Sequence, residues 1–209
     1  MASKLGIKLV VMPLDKIGRV DLVEFKKLLT PKLRLVALTW VNNSSGHIYP
    51  AMAMAKMVKE SNPKTHFHLD AAQGFGKIAL ELSPTLIDSV AISAHKMGGP
   101  CGISALYLKE GGAVEPLLWG GGQEGGVRSS TPATVLISAF AAAVKEARRS
   151  RQREYPRVRE LGEMVHHALK KQLGDRVLFP FVGDDISPYI HTMLFPKVAG
   201  DMLLRYLER

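Results

Sequence analysis

Lys96 closes the run "ISAHK" and is followed at once by "MGGPCG", a turn of permissive backbone. An amine at the end of a buried strand is partly withdrawn from water, and that withdrawal favours the neutral, nucleophilic form. Such an amine can form a Schiff base with a carbonyl. Asp70 closes another short run, "HFHLD", where a carboxylate can hold a proton on a pyridine-type nitrogen. Ser93, His95 and Thr131 offer donors to an anionic group. Arg128 and the glycines at 120–122 add charge and backbone amides.

Other residues invite weaker readings. His66 and His68 alternate onto one strand face like a metal pair, but no third ligand accompanies them, and no metal is expected. The glycine-rich stretch 120–126 lacks both the P-loop lysine and the GxGxxG spacing. His166 and His167 read as surface residues of a basic helix, and Trp40 and Trp119 as packing residues. Cys101 reads as a small packing thiol. As the sole cysteine it makes no internal disulfide, which suits a reducing compartment, the cytoplasm or an organelle matrix.

The elements that position these groups follow from periodicity. Short apolar runs predict strands over 9–11, 35–41, 66–70, 89–93 and 103–108. The run 35–41 reads as a strand covered on both faces. Helices are predicted over 22–29, with Asp21 as cap, and over 51–61. A strong helix follows Pro132; Pro156 interrupts it or starts the next one, and Gly174 ends the pattern. Strands over 177–181 and 189–195 and a helix over 200–208 read as the opening of a smaller domain. The alternation of strands and helices predicts an α/β fold with a mostly parallel sheet flanked by helices, and then the start of a small C-terminal α+β domain. The expected division is a partial large domain over 1–150 and a linking helix with the small-domain start over 151–209. Three of the loops of interest, 41–46, 68–77 and 93–99, follow strands at their C-terminal ends, where open α/β sheets bind ligands.

Much of the positive charge behind the formal net +9 lies in 145–160, "KEARRSRQREYPRVRE". Interleaved Glu146, Glu154 and Glu160 make this a solvated helix face rather than a nucleic-acid surface. No run of the sequence is long and apolar enough to suggest a membrane span.

In order, the blocks "VNNSSG", "HLDAAQGFGK", "SAHKMGG" and "GGGQEGGVRSST" resemble the class V aminotransferase group of pyridoxal phosphate enzymes. Within it the similarity is greatest to cysteine desulfurases and selenocysteine lyases. The resemblance runs from about Leu5 to Leu207 and implies the pyridoxal phosphate-dependent transferase fold type I. It implies that Lys96 carries pyridoxal 5'-phosphate and that Asp70 faces its ring nitrogen. It places Asn43 and Gln73 at the ring hydroxyl and substrate, and Ser93 and His95 at the phosphate. Thr131 matches a phosphate contact that reaches across a homodimer. The implied reaction takes sulfur from L-cysteine, leaving alanine and an enzyme persulfide that passes to an acceptor protein.

The family's upstream phosphate loop and stacking histidine have no counterpart in this sequence. Neither do its downstream nucleophilic cysteine and substrate-binding arginine. Truncation at both ends is therefore expected, and little cysteine turnover by this chain alone. Ser44 and Ser130 stand where the family commonly has an acidic residue and a glycine. A selenocysteine lyase or another class V enzyme, and a non-catalytic remnant, are the alternatives.

Overall fold

The computed structural model describes residues 6–79, 83, 85–112 and 114–208. Asp21 starts α1 (Leu22–Leu28): its Oδ1 accepts from the amides of Val23 at 2.7 Å and Glu24 at 3.2 Å, donors the first turn cannot satisfy itself. Strand β1 (Leu35–Thr39) leads through the loop that carries Asn43 to α2 (Ala51–Ser61). Ala51, Met54, Ala55 and Val58 repeat at helical spacing and are buried. They share one core with Leu38, Phe67, Leu69 and Val90 of the sheet and with Trp40 just beyond β1. Filling that core with a side chain such as Met54 contributes roughly 1.5–3 kcal/mol.

Strands β2 (His66–Asp70), β3 (Ser89–Ser93) and β4 (Ser104–Leu108) complete a sheet of order β1-β2-β3-β4. The first two pairings are parallel and the third is antiparallel. The sheet is thus mostly parallel, as expected. The free face of β1 is not covered: Leu35 is exposed and only Leu38 of the strand is buried, so burial on both faces does not hold.

Three further expectations fail for physical reasons. Residues 9–11 form no strand; Leu9 and Val11 are exposed and join no ladder of the described residues. Pro156 does not divide the helix, because α3 (Thr134–Leu173) runs unbroken through it for 40 residues. Proline's fixed φ suits a helix. Its missing amide orphans only the carbonyl of Gln152, on an exposed residue that water can serve. A boundary at 150 therefore falls inside one helix. The predicted strands 177–181 and 189–195 reduce to a single bridge, Leu178 to Leu194. The chain closes with α4 (Gly200–Leu207).

The charged segment is a solvated face of α3. Glu154 accepts from Arg153 at 2.9 Å and Arg157 at 2.6 Å, and Glu146 pairs with Arg149 at 2.8 Å. No described helix is long and apolar enough to cross a membrane.

One ion pair fixes the start of β3. Asp88 Oδ2 accepts from Lys59 Nζ at 2.6 Å and from the Phe67 amide at 2.7 Å, tying the end of α2 to β2 and β3. Burial alone would push the Asp88 carboxyl up; the bonds from Lys59 and Phe67 outweigh it and hold the group below the usual carboxylate range. Asp88→Ala is expected to lower stability by about 2–3 kcal/mol in urea melts, because it leaves the mostly buried Lys59 ammonium without its counter-charge, held only by backbone carbonyls. A lowered carboxylate value contributes stability that is present above its unfolded value of about 3.9 and lost as pH falls through the folded one. The difference between parent and variant should therefore be full at neutral pH and shrink below about pH 4. A loss under about 0.5 kcal/mol, the size of a surface pair, would show that the clamp is not structural.

Candidate functional site

The loops after β1, β2 and β3 leave the same edge of the parallel strands. Asp70 is the last residue of β2, pairing with Thr39 of β1 on one side and Ala91 of β3 on the other. Its main chain is held on both sides: Trp40 N donates to Asp70 O at 2.8 Å, and Ala71 N to Ala91 O at 2.9 Å. Its Oδ1 accepts the Ala72 amide at 3.0 Å. Among the described residues nothing bonds Oδ2.

Lys96 lies half-buried in a single 3-10 turn, Ala94–Met97, directly beyond β3. Gly98 ends that turn in the left-handed region, with φ 82°, and bonds back to Ala94 O. A Cβ on Gly99 would stand 2.9 Å from the same carbonyl, so the tight return past Lys96 requires glycine at both positions. Among the described residues Lys96 has no hydrogen bond or ion pair. The Lys96 turn and the loop after Asp70 touch: a Cβ on Gly76 would lie 3.4 Å from Met97 Cβ.

Ser93 Oγ and His95 Nδ1 are 2.9 Å apart, and Ser104 Oγ donates to Ser93 Oγ at 3.3 Å. Gln73 is half-buried beside Asp70, while Asn43 is exposed on its own loop. Asn42, not Asn43, shapes that loop, accepting the amides of Ser44 and Ser45 at 2.9 Å. Thr131 is exposed and bonds to none of the other site residues described. The structure thus brings Asp70, Gln73, Ser93, His95 and Lys96 to one sheet edge, with Asn43 on the next loop, and leaves Thr131 exposed.

Ser130 adopts φ 83°, which costs a side-chain-bearing residue about 1 kcal/mol. Ser130→Gly removes that strain but adds freedom to the unfolded chain. A net stabilisation of about 0.5 kcal/mol is expected from thermal melts; destabilisation would mean the serine side chain has a role that its exposure conceals.

His66 Nε2 and His68 Nδ1 both lie 2.7 Å from Ser89 Oγ, so the strand-face pair is committed to one hydroxyl. Burial pushes the His68 imidazole down, against the charge of Asp70 on the same face. Among the described residues no three His, Cys, Asp or Glu converge on a cation site. Trp40 is buried, but Trp119 is 79% exposed and packs on nothing large. Cys101 is also exposed rather than packed, because the glycine turn carries it outward.

Two features escaped the sequence. Lys77 is half-buried, with Nζ 5.6 Å from the centre of the Tyr189 ring. Burial first and the nearby Lys96 charge second lower its proton affinity. The "GK" pair at the end of the Asp70 loop was its only signal. The other is His166, half-buried against His191 rather than on the surface. No spacing links a helix residue to one 25 positions away.

The model for the aminotransferase class V family matches residues 1–208. The chain is 34% identical over 207 residues to a cysteine desulfurase of Sinorhizobium fredii, covering 98% of this chain and 52% of that protein. It is 32% identical over 205 residues to the mitosomal cysteine desulfurase of Encephalitozoon cuniculi, covering 97% of this chain and 46% of the relative. Among solved structures, a NifS-like protein superposes with a TM-score of 0.93 at 32% identity, over 99% of this chain and 56% of its own. The NifS-like protein of Rickettsia africae gives 0.87 at 28% identity, over 95% and 55%.

A mostly parallel sheet that delivers a lysine turn and an aspartate to one edge defines the fold type I class of pyridoxal phosphate proteins. The chain belongs to the class V aminotransferase family. It spans about half the length of the curated relatives it matches.

The family uses pyridoxal phosphate, and the residues present fit it. Lys96 is an amine free of ion pairs among the described residues, and Asp70 keeps a carboxylate oxygen unengaged. The Ser93–His95 pair lies between them in sequence and beside the Lys96 turn.

Proposed function

We propose that the chain binds pyridoxal 5'-phosphate through Lys96 and serves the removal of sulfur from L-cysteine. The observation that carries this reading is the placement of Asp70 and Lys96 just beyond adjacent parallel strands, in loops that touch at Gly76 and Met97. Cysteine desulfurase relatives at 32–34% identity support the substrate.

In this reading Lys96 holds the cofactor covalently, Asp70 keeps a proton on the ring nitrogen, and Gln73 and Asn43 meet the ring hydroxyl and the substrate. Ser93 and His95 bind the phosphate. Thr131, exposed, reaches the phosphate of a second copy in a homodimer. The bound cofactor supplies an electron sink for negative charge at the substrate Cα. Lys96, once released, is the base that moves the Cα proton. Sulfur passes from L-cysteine to a cysteine thiol that this sequence does not itself supply, which becomes a persulfide while alanine leaves. The persulfide then feeds an acceptor protein, supplying sulfur for iron–sulfur clusters or for thiolated tRNA and cofactors. Cys101 is not that thiol, because its short glycine turn gives it no reach toward the substrate sulfur. The setting is a reducing one, cytoplasm or organelle matrix.

The test is borohydride reduction of the chain with pyridoxal phosphate, then peptide mapping. The label is expected on the peptide containing Lys96, in the parent and in Cys101→Ser alike. An unlabelled Lys96 peptide beside a labelled one elsewhere would end the assignment.

A further inference from the structure

The segment 183–192 is where α3 meets the Asn43 loop. On one side it holds that loop by two backbone bonds and one side chain: Ser187 N donates to Gly46 O at 2.7 Å, Ile48 N donates to Asp185 O at 2.8 Å, and Thr192 Oγ1 donates to Ser44 O. On the other side His191 drives its ring into α3 at Gly162. A Cβ there would come within 2.2 Å of the imidazole, so only glycine admits it. His191 Nδ1 lies 3.1 Å from His166 Nε2, and its Nε2 lies 2.8 Å from Pro188 O. The His166 ring stacks on Phe179 with centroids 4.0 Å apart.

The proton positions follow. A carbonyl only accepts, so His191 Nε2 carries a hydrogen and donates to Pro188 O. In the neutral pair His191 Nδ1 is therefore bare and accepts from His166 Nε2. One added proton can be housed by reversing that bond, His191 Nδ1 donating to His166 Nε2. A second leaves two N–H groups and two cations face to face at 3.1 Å, and the contact must break.

We propose that His166 and His191 form a proton-sensitive latch that fixes the segment 183–192 on α3 and, through it, sets the position of the loop carrying Asn43. The pair lines a cleft of about 230 Å³ with Arg159 and Glu163 of α3 and Asp184 of the segment, so protons from solvent reach it. Arg159 and Asp184 are paired to each other at 3.0 Å, which leaves Glu163 as the nearby anion that favours the charged form. Burial, and then His191, outweigh Glu163 and lower the proton affinity of His166. A histidine held below its ordinary value of about 6.5 contributes stability above that value and loses it as pH falls through the folded one. The latch is closed at neutral pH, survives the first proton and opens when acidification adds the second. Any effect on ligand through Asn43 rests on the proposed function; the latch itself does not.

The test is hydrogen exchange of the full, ligand-free chain at about pH 7.5 and about pH 5, which bracket histidine titration, with rates corrected for the intrinsic pH effect. Protection in peptides covering 44–48 and 185–192 is expected to fall at least about tenfold in acid, while the first turns of α3 are unchanged. His166→Gln keeps a donor for His191 Nδ1 without titrating, and its protection is expected to be the same at both pH values. Unchanged protection in the parent, or an equal acid loss in His166→Gln, overturns the proposal. If that variant fails to fold, proton NMR of the parent decides. Two coupled imidazole steps, the second coinciding with lost protection, support the latch; two independent steps overturn it. Because no cofactor is present, a failed Lys96 assignment does not affect the result.

Discussion

Lys96→Ala is expected to reduce borohydride-fixed pyridoxal phosphate to background, with any remaining cofactor removable by dialysis. The half-buried amine beyond β3 has no hydrogen bond or ion pair among the described residues, so nothing competes with a carbonyl for it. The 3-10 turn that carries it is held by its own backbone, through the Gly98 and Gly99 amides to Ala94 O, and the lysine side chain plays no part in that hold. The variant should therefore fold like its parent, and a matching thermal melt makes the loss interpretable. Lys96→Arg should fail equally, because a guanidinium keeps its proton and is no nucleophile. The informative competitor is Lys77, a second half-buried amine nearby. Fixation that persists in Lys96→Ala and maps to Lys77 would show that attachment had been given to the wrong lysine.

Asp70→Asn should separate capture from chemistry. The amide is nearly isosteric and can still accept the Ala72 amide, so the loop keeps its shape. What it loses is the negative charge that favours a proton on the ring nitrogen. Fixation at Lys96 should change little. Cysteine turnover, measured in a version of the chain extended to the full length of its relatives, should fall on the order of 10²-fold or more, as when one preorganised electrostatic partner is removed. Turnover within about threefold of the parent would exclude Asp70 from that role.

The parts of the fold that could be read from sequence were those with local causes. The stripe Ala51, Met54, Ala55 and Val58 marks α2, and the runs ending at Asp70 and Ser93 mark β2 and β3 within their observed bounds. The two residues proposed for the site are tied to the same local signal: Asp70 closes β2, and Lys96 follows β3 by one short 3-10 turn. The failures depend on partners distant in the chain. Residues 9–11 have strand composition, yet a strand exists only in a ladder, and no ladder of the described residues includes them. Leu178 and Leu194 bridge once, because the segment between them spends its hydrogen bonds on the Asn43 loop. Pro156 misled in the opposite direction: the helix formers on both sides of it outweigh one lost amide bond.

The unbroken helix has a mechanical consequence. Near its start, Ala143 and Ala147 lie against Gly99 and Gly76, on either side of the contact between the Lys96 turn and the Asp70 loop. His166 sits some 29 Å further along the same rod, at 1.5 Å per residue. The helix is thus a lever whose short arm bears on the Lys96 turn. Pivoting it by about 5° near Ala147 would sweep the His166 end through roughly 2.5 Å over that length, nearly the length of the His166–His191 contact. The same tilt displaces the pivot end by only tenths of an ångström. Small adjustments beside Lys96 are therefore amplified at the far end, whereas large excursions there are geared down before they reach the lysine.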